Sequence, residues 1–334
     1  MRRTTCSVVL ILCLLGTSQF AVAASVRSVG EIVITVSDMQ EALPFYTGIL
    51  PFVWVSEVEI SGLEAEQRFG IPDALVREAR LRLGNETLVL RDWIEPEGRP
   101  VPHDSRGHDV WVQRLALVVS DMDRAYEHLR THRVQHVSAA PQTYPASNPN
   151  TAGVRTFSFS DPDAHVLEIV WFPPDQSPPR WRGVRAALFL GIDHTAIVVG
   201  DTKRSLRFYR DALGLEVTDL GDSYGSERER VDGVFGARVQ MTALRAPEGP
   251  GLRLLEYLAP PGGRAYAADT RVNDLVHGQT QIVVQNLGSI QRGLRGQGAR
   301  FVSEETGEPG VLVRDPDGHV VHVVAPVEAG TVSR

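Results

Sequence analysis

Four times along the chain a run of apolar, largely β-branched residues leads into an Asp or Asn and then into a helical pattern. The runs are Val29 to Val36 before Asp38, Leu115 to Val119 before Asp121, Ile192 to Val199 before Asp201, and Thr280 to Val284 before Asn286. Runs of this length and composition predict strands, and the Asp or Asn at each boundary predicts a helix N-cap. Further strand-like segments follow, closing on hairpins whose turns carry Asp161-Pro162-Asp163 and Asp315-Pro316-Asp317-Gly318, residues that turns select. The pattern predicts an α+β chain of four modules, each a strand, a helix and several more strands.

The modules also pair into a long repeat. Asp38 matches Asp201, Phe45-Tyr46 matches Phe208-Tyr209, Asp104-Ser105-Arg106 and Asp109 match Asp269-Thr270-Arg271 and Asp274, and Asp161 to His165 matches Asp315 to His319. Between the halves lies Pro173-Pro174-Asp175-Gln176-Ser177-Pro178-Pro179, which cannot continue a sheet and reads as a linker. The expected domains are residues 26–172 and 190–326, joined by a linker at 173–189. A chain of 334 residues suits two domains of ordinary size.

The first 24 residues read as a signal peptide, with Arg2 and Arg3, an apolar run from Val8 to Leu15, and a small-residue cleavage site at Ala21-Val22-Ala23. The expected mature protein is secreted or periplasmic, without a membrane span. Both cysteines, Cys6 and Cys13, fall inside the peptide, so thiol chemistry and disulfides are excluded from the mature chain. Losing Arg2 and Arg3 lowers 34 basic residues to 32 against 41 acidic, a net charge of about −9, which argues against nucleic acid as a partner. Lys203 is the only lysine, and Schiff-base chemistry is improbable on that ground.

The phrase from His194 to Val199, the helix from Ser205 to Leu215 and the turn Asp315-Pro316-Asp317-Gly318 resemble the vicinal oxygen chelate superfamily of glyoxalases, bleomycin-resistance proteins and extradiol dioxygenases. The resemblance implies two tandem domains, each closing two βαβββ modules into a cup, with one metal held by the first and last strands of both modules. In the second half those positions are His194, Glu256, Gln279 and His322. Strand alternation places His194 with Ala196 and Val198, Glu256 with Leu254 and Leu258, and His322 with Val320 and Val324, each a polar residue in an apolar row. Two imidazoles, a carboxylate and an amide oxygen suit a divalent Fe, Mn, Ni, Co or Zn. This set departs from the family pattern, where His is common at the third position and Glu at the last. Glu256 and Gln279 are the candidate proton-moving groups. The matching positions of the first half are Glu31, Asp92, Arg114 and Glu168; Arg114 has no lone pair to give, so this cup is expected to be metal-free.

Two functions are open on this reading. One is an exported metal-dependent enzyme, a glyoxalase-like lyase or isomerase or a dioxygenase, acting on a small vicinal-oxygen substrate. The other is a small-molecule binding protein of the bleomycin-resistance type, without catalysis. A homodimer is compatible with either. His103, His108, Asp109 and His277 lie in the loops joining modules, and His165 and His319 follow the hairpin turns symmetrically, which suggests a shared structural role.

Overall fold

The computed structural model describes residues 26–148, 151–261, 263–303 and 310–326. The signal peptide of the sequence reading lies outside them. Module one runs β1 (Val26–Val36), α1 (Met39–Pro44) with a π-helical turn, β2 (Val53–Ser61), α2 (Gly62–Phe69), β3 (Leu75–Leu83) and β4 (Glu86–Glu95). Module two is β5 (Gln113–Val119), α3 (Met122–Thr131), the short β6 (Gln135–His136) and β7 (Gln142–Thr143), then β8 (Arg155–Ser160) and β9 (Val166–Trp171). Module three is β10 (Phe189–Val198), α4 (Thr202–Leu206) with its own π-helical turn, β11 (Glu216–Tyr224), α5 (Ser226–Asp232), β12 (Arg238–Arg245) and β13 (Gly251–Ala259). Module four is β14 (Gly278–Val284), α6 (Leu287–Gly296), β15 (Arg300–Ser303), β16 (Gly310–Arg314) and β17 (Val320–Val324). No helix among the described residues is long and apolar enough to cross a membrane.

All four predicted caps form. Asp38, Asp121, Asp201 and Asn286 each accept a backbone N–H of the following helix, satisfying a donor that has no partner within the helix.

The modules do not pair as the order of the chain suggested. One sheet has the order β15-β16-β17-β14-β1-β4-β3-β2, and the other β11-β12-β13-β10-β5-β9-β8-β6. Module one therefore joins module four through β1 and β14, with Val33 opposite Gln279. Module two joins module three through β5 and β10, with Arg114 opposite Ala196. The sequence halves are true repeats, but each cup is built across them rather than within one.

The loops between modules lock this exchange. The Arg99 guanidinium donates to Asp274 and Asp269, and its backbone N–H to Asp274. Its repeat partner Arg264 does the same to Asp109 and Asp104. Beside them a Cβ on Gly98 would overlap the Asn273 carbonyl, and one on Gly263 the His108 carbonyl. His165 Nε2 meets the Leu275 carbonyl at 2.9 Å and His319 Nε2 the Val110 carbonyl at 2.8 Å. Each contact has a counterpart with the halves exchanged, so the molecule has a local two-fold axis, and the shared role inferred for His165 and His319 is this tie.

Candidate site: a chamber between two arginine-lined cups

Each central strand buries apolar side chains on both faces. On β13, Leu252 and Leu254 pack with Phe208 and Leu244, whereas Leu255 packs with Ala196 and Val239. The cup lies on the Leu255 side. It is lined by Arg114, Glu168, Arg228, Arg253 and Asp219 beside His194, around a space of about 60 Å³. Glu256 faces the other way, and its carboxylate accepts the Thr202 N–H at the start of α4, at 2.9 Å. Asp92 does the same for the Met39 N–H of α1, at 3.1 Å. Glu256 was placed in a cup by the resemblance and strand alternation and Asp92 by its match in the repeat, and both instead serve helix N-termini, where free N–H groups attract a carboxylate.

The strand order also separates the remaining candidates. Gln279 and His322 line a second cup of about 20 Å³ with Glu31, Arg68, Glu78, Arg91 and Gln281. The predicted set of His194, Glu256, Gln279 and His322 is thus divided between two cups and the back of a sheet. The His194 cup holds one imidazole with Glu168 and Asp219, and the His322 cup one imidazole with Glu31, Glu78 and two amides. In the His322 cup the acids are engaged, Glu31 by Arg80 at 3.2 Å and Glu78 by Arg91 at 2.6 Å and Arg68 at 3.2 Å. Burial, with Arg91 and Arg68 nearby, pushes His322 down to about 4, and its Nε2 has no hydrogen-bond partner. Gln279 spends its amide nitrogen on His277 Nε2, at 3.0 Å. A divalent ion there would face two guanidiniums and would have to break existing ion pairs, so these residues do not fit a metal.

The His194 cup is better ordered. Burial works against the charge of Asp193, but its bonds to His194, Arg245 and Trp181 hold it well below the usual carboxylate range. His194 Nδ1 therefore donates to Asp193, at 2.8 Å, and Nε2 keeps its lone pair. Burial and Arg253 lower the His194 pKa. The only other donor among the strand positions is Glu168, because the expected acid faces away and Arg114 enters instead. A divalent ion there would compete with Arg114, Arg228 and Arg253 for the two lining carboxylates, Glu168 and Asp219, so the cup is not a transition-metal site of the expected kind.

One Asp/His cluster of metal-ligating type exists among the described residues, Asp161, Asp163 and His165, whose ligand atoms lie within 4.8 Å of one another. Its atoms are occupied by the turn. Asp161 accepts from Tyr46 Oη, His165 Nδ1 and the N–H groups of Asp163 and His165, while Asp163 takes both the N–H and the hydroxyl of Ser37. Asp315 holds Tyr209, His319 and the N–H groups of Asp317, Gly318 and His319 in the same way.

A larger space than either cup lies between them. A chamber of about 570 Å³ is walled by β1, β5, both crossover loops and the end of α5. Ile32, Ile34, Val112, Leu115, Val137 and Val234 give it an apolar wall, with Trp111 and Phe235 as aromatics. Phe235 is 90% exposed. His103 and Arg106 line it as exposed residues. Arg114 borders both the chamber and the His194 cup. It is held by Asp232, which also pairs with Arg228 and accepts from Tyr257 Oη at 2.6 Å. Sequence reading assigned His103, His108 and His277 to loops, but nothing in it showed that the two crossover loops meet around a cavity.

The sequence profile of the Glyoxalase/Bleomycin resistance protein/Dioxygenase superfamily matches residues 28–169 and 191–323. No curated protein matches the chain. Among solved structures, glyoxalase I from Zea mays is similar with a TM-score of 0.60 at 16% identity, covering 90% of this chain and 92% of that one. A putative dioxygenase from Bacillus subtilis has a TM-score of 0.56 at 13% identity, covering 91% and 86%. Identities this low establish a shared fold and leave the reaction open. With both repeats matched over most of their length, the chain belongs to the glyoxalase/bleomycin resistance protein/dioxygenase superfamily.

Proposed function

We propose that the protein binds a small organic molecule in the chamber between its cups and does so without a transition metal. The observation carrying this reading is the contrast in space and charge: a mostly apolar chamber of about 570 Å³ against cups of about 60 and 20 Å³ filled by arginines. A volume of that size suits a drug-sized ligand. The lining favours a ring-bearing body against Trp111 and Val234, and an acidic group toward Arg106, whose guanidinium has no ion pair among the described residues. Titration of Trp111 fluorescence with aromatic acids should show saturable quenching in metal-free buffer. Elemental analysis of the purified protein and of the His194→Ala and His322→Ala variants should find no bound equivalent of metal. One equivalent of Fe, Mn, Ni, Co or Zn, lost in either variant, would overturn the reading.

The Asp193–His194 pair favours a second reading, an enzyme of the superfamily in which His194 Nε2 takes a proton from a substrate passing Arg114. An imidazole oriented by a carboxylate is a competent base. Turnover abolished by His194→Gln with ligand binding retained would support it. Export remains part of the proposal, checked by the N-terminal sequence of the mature protein, expected near Ala24. We also propose a homodimer through the edge strand β2, where Val53, Trp54 and Val55 are more than half exposed; sedimentation of a Trp54→Lys variant tests it.

A further inference from the structure

The local two-fold axis makes the chamber one of a pair of positions. Near the axis, equivalent residues of both halves line it together, Ile32 with Thr195 and Gln113 with Gly278. From there it extends to one side only, past Val101, Gly107, Ser160 and Asp232. On the opposite side the equivalent residues are Tyr266, Val272, Arg314 and Phe69, each of them larger. Phe69, with Trp93, Ile71, Val272 and Val302, packs there into a hydrophobic cluster. The Tyr266 ring stands edge-on to His319, with centroids 5.5 Å apart. Arg314 crosses the same space and donates to the Gly318 and Thr270 carbonyls, at 2.8 and 3.2 Å.

We infer that the chamber is a ligand site opened in one half by small side chains, and that Val101, Ser160 and Asp232 set the size of the ligand it accepts. The inference rests on the proposed binding function and adds where the ligand lies and what limits it. Its physical content is that one backbone frame, present twice, is filled in one copy and left open in the other. A cavity walled by apolar groups and left empty loses dispersion contacts, a cost that a ring-bearing ligand would recover on binding.

The filled half supplies the test variants, because this backbone already accommodates each side chain at the equivalent place. In Ser160→Arg the new guanidinium should find the Ala164 and Ser105 carbonyls, as Arg314 finds those of Gly318 and Thr270. Val101→Tyr must be combined with Ala164→Gly. A Cβ on Gly318 would lie 3.0 Å from the Tyr266 ring, so the Ala164 methyl would obstruct the new tyrosine. Ala164 has a φ of +67°, a conformation that glycine adopts freely.

Binding of anilinonaphthalene sulfonate, an apolar ring system with one acidic group, is measured by calorimetry and fluorescence on the full mature chain. The native protein should bind one equivalent. Ser160→Arg and Val101→Tyr/Ala164→Gly should each weaken binding at least tenfold while melting no lower than the native protein. Tyr266→Val/Arg314→Ser, which clears the filled side, should add a second equivalent. Unchanged affinity in both filled variants, with their folding retained, would overturn the site while leaving a binding function in place. Failure of the native protein to bind the probe would count against the proposed function itself.

Discussion

Replacing His165 by Asn removes a charge that the fold is built to hold, and the effect can be read as a pH dependence of stability. Burial opposes protonation of His165, but Asp161 beside it, the hydrogen bond between them and the Leu275 carbonyl outweigh that and raise it to about 9. An unfolded histidine titrates near 6.5, so the folded protein holds a proton that the unfolded chain gives up first. The stabilisation is therefore fully present below pH 6.5 and is lost as pH rises through 9. The interval between 6.5 and 9 corresponds to about 3 kcal/mol. His319 is raised in the same direction by Asp315, so both native and variant chains should weaken over this range. The difference between them isolates His165, because the amide of the His165→Asn variant can still donate to Asp161 but cannot carry charge or reach Leu275. Urea unfolding at half-unit steps from pH 6 to 10 should show a gap that is largest below pH 6.5 and narrows by about 3 kcal/mol above pH 9. A gap constant across that range would refute the assignment of a protonated His165 to the tie between the halves.

Asp232→Ala should leave the Arg114 and Arg228 guanidiniums buried without their acid, at a cost of about 3–5 kcal/mol in urea unfolding. Glu256→Gln weakens an acceptor for the Thr202 N–H and should cost about 1 kcal/mol with ligand binding unchanged; a large loss of binding would restore Glu256 to the site. Gly98→Ala forces the Asn273 carbonyl away and with it the Arg99–Asp274 pair, so a loss of about 1–3 kcal/mol is expected. Gly48→Ala, where a Cβ meets nothing within 4 Å, serves as its control.

The modules and their caps were legible because each depends on local chemistry: β-branched runs, an Asp or Asn at the boundary, a Pro and Asp in the turn. Two things were not legible, for different reasons. The face of a strand cannot be read when both faces are apolar, and Glu256 shared a row with Leu254 as plausibly as Leu255 shared one with Tyr257. A covered sheet removes the polar side that would have settled the register. The pairing of modules was hidden because all four carry the same pattern, so β14 could close against β10 or β1 by its own sequence. Contacts between distant loops decide it, notably Gly98 against Asn273 and Arg99 against Asp274. The landmarks Asp109 and Asp274 were found as repeat markers, but their partners Arg264 and Arg99 were not.

The exchange of modules also explains why a chamber exists in this chain. Had each half closed on itself, the crossover loops would have run along the outside of two separate domains. With each cup built across the halves, both loops must pass between the sheets, and His165, which fastens one of them at Leu275, lines the space they enclose. Because the axis presents that frame twice, opening a site on one side needs only smaller side chains at a few positions. The opposite side keeps Phe69, Tyr266 and Arg314 as packing. Stability and binding can thus be divided between two copies of one arrangement. Filling the open copy should cost the protein its ligand and leave its fold intact, whereas emptying the filled copy should cost stability first.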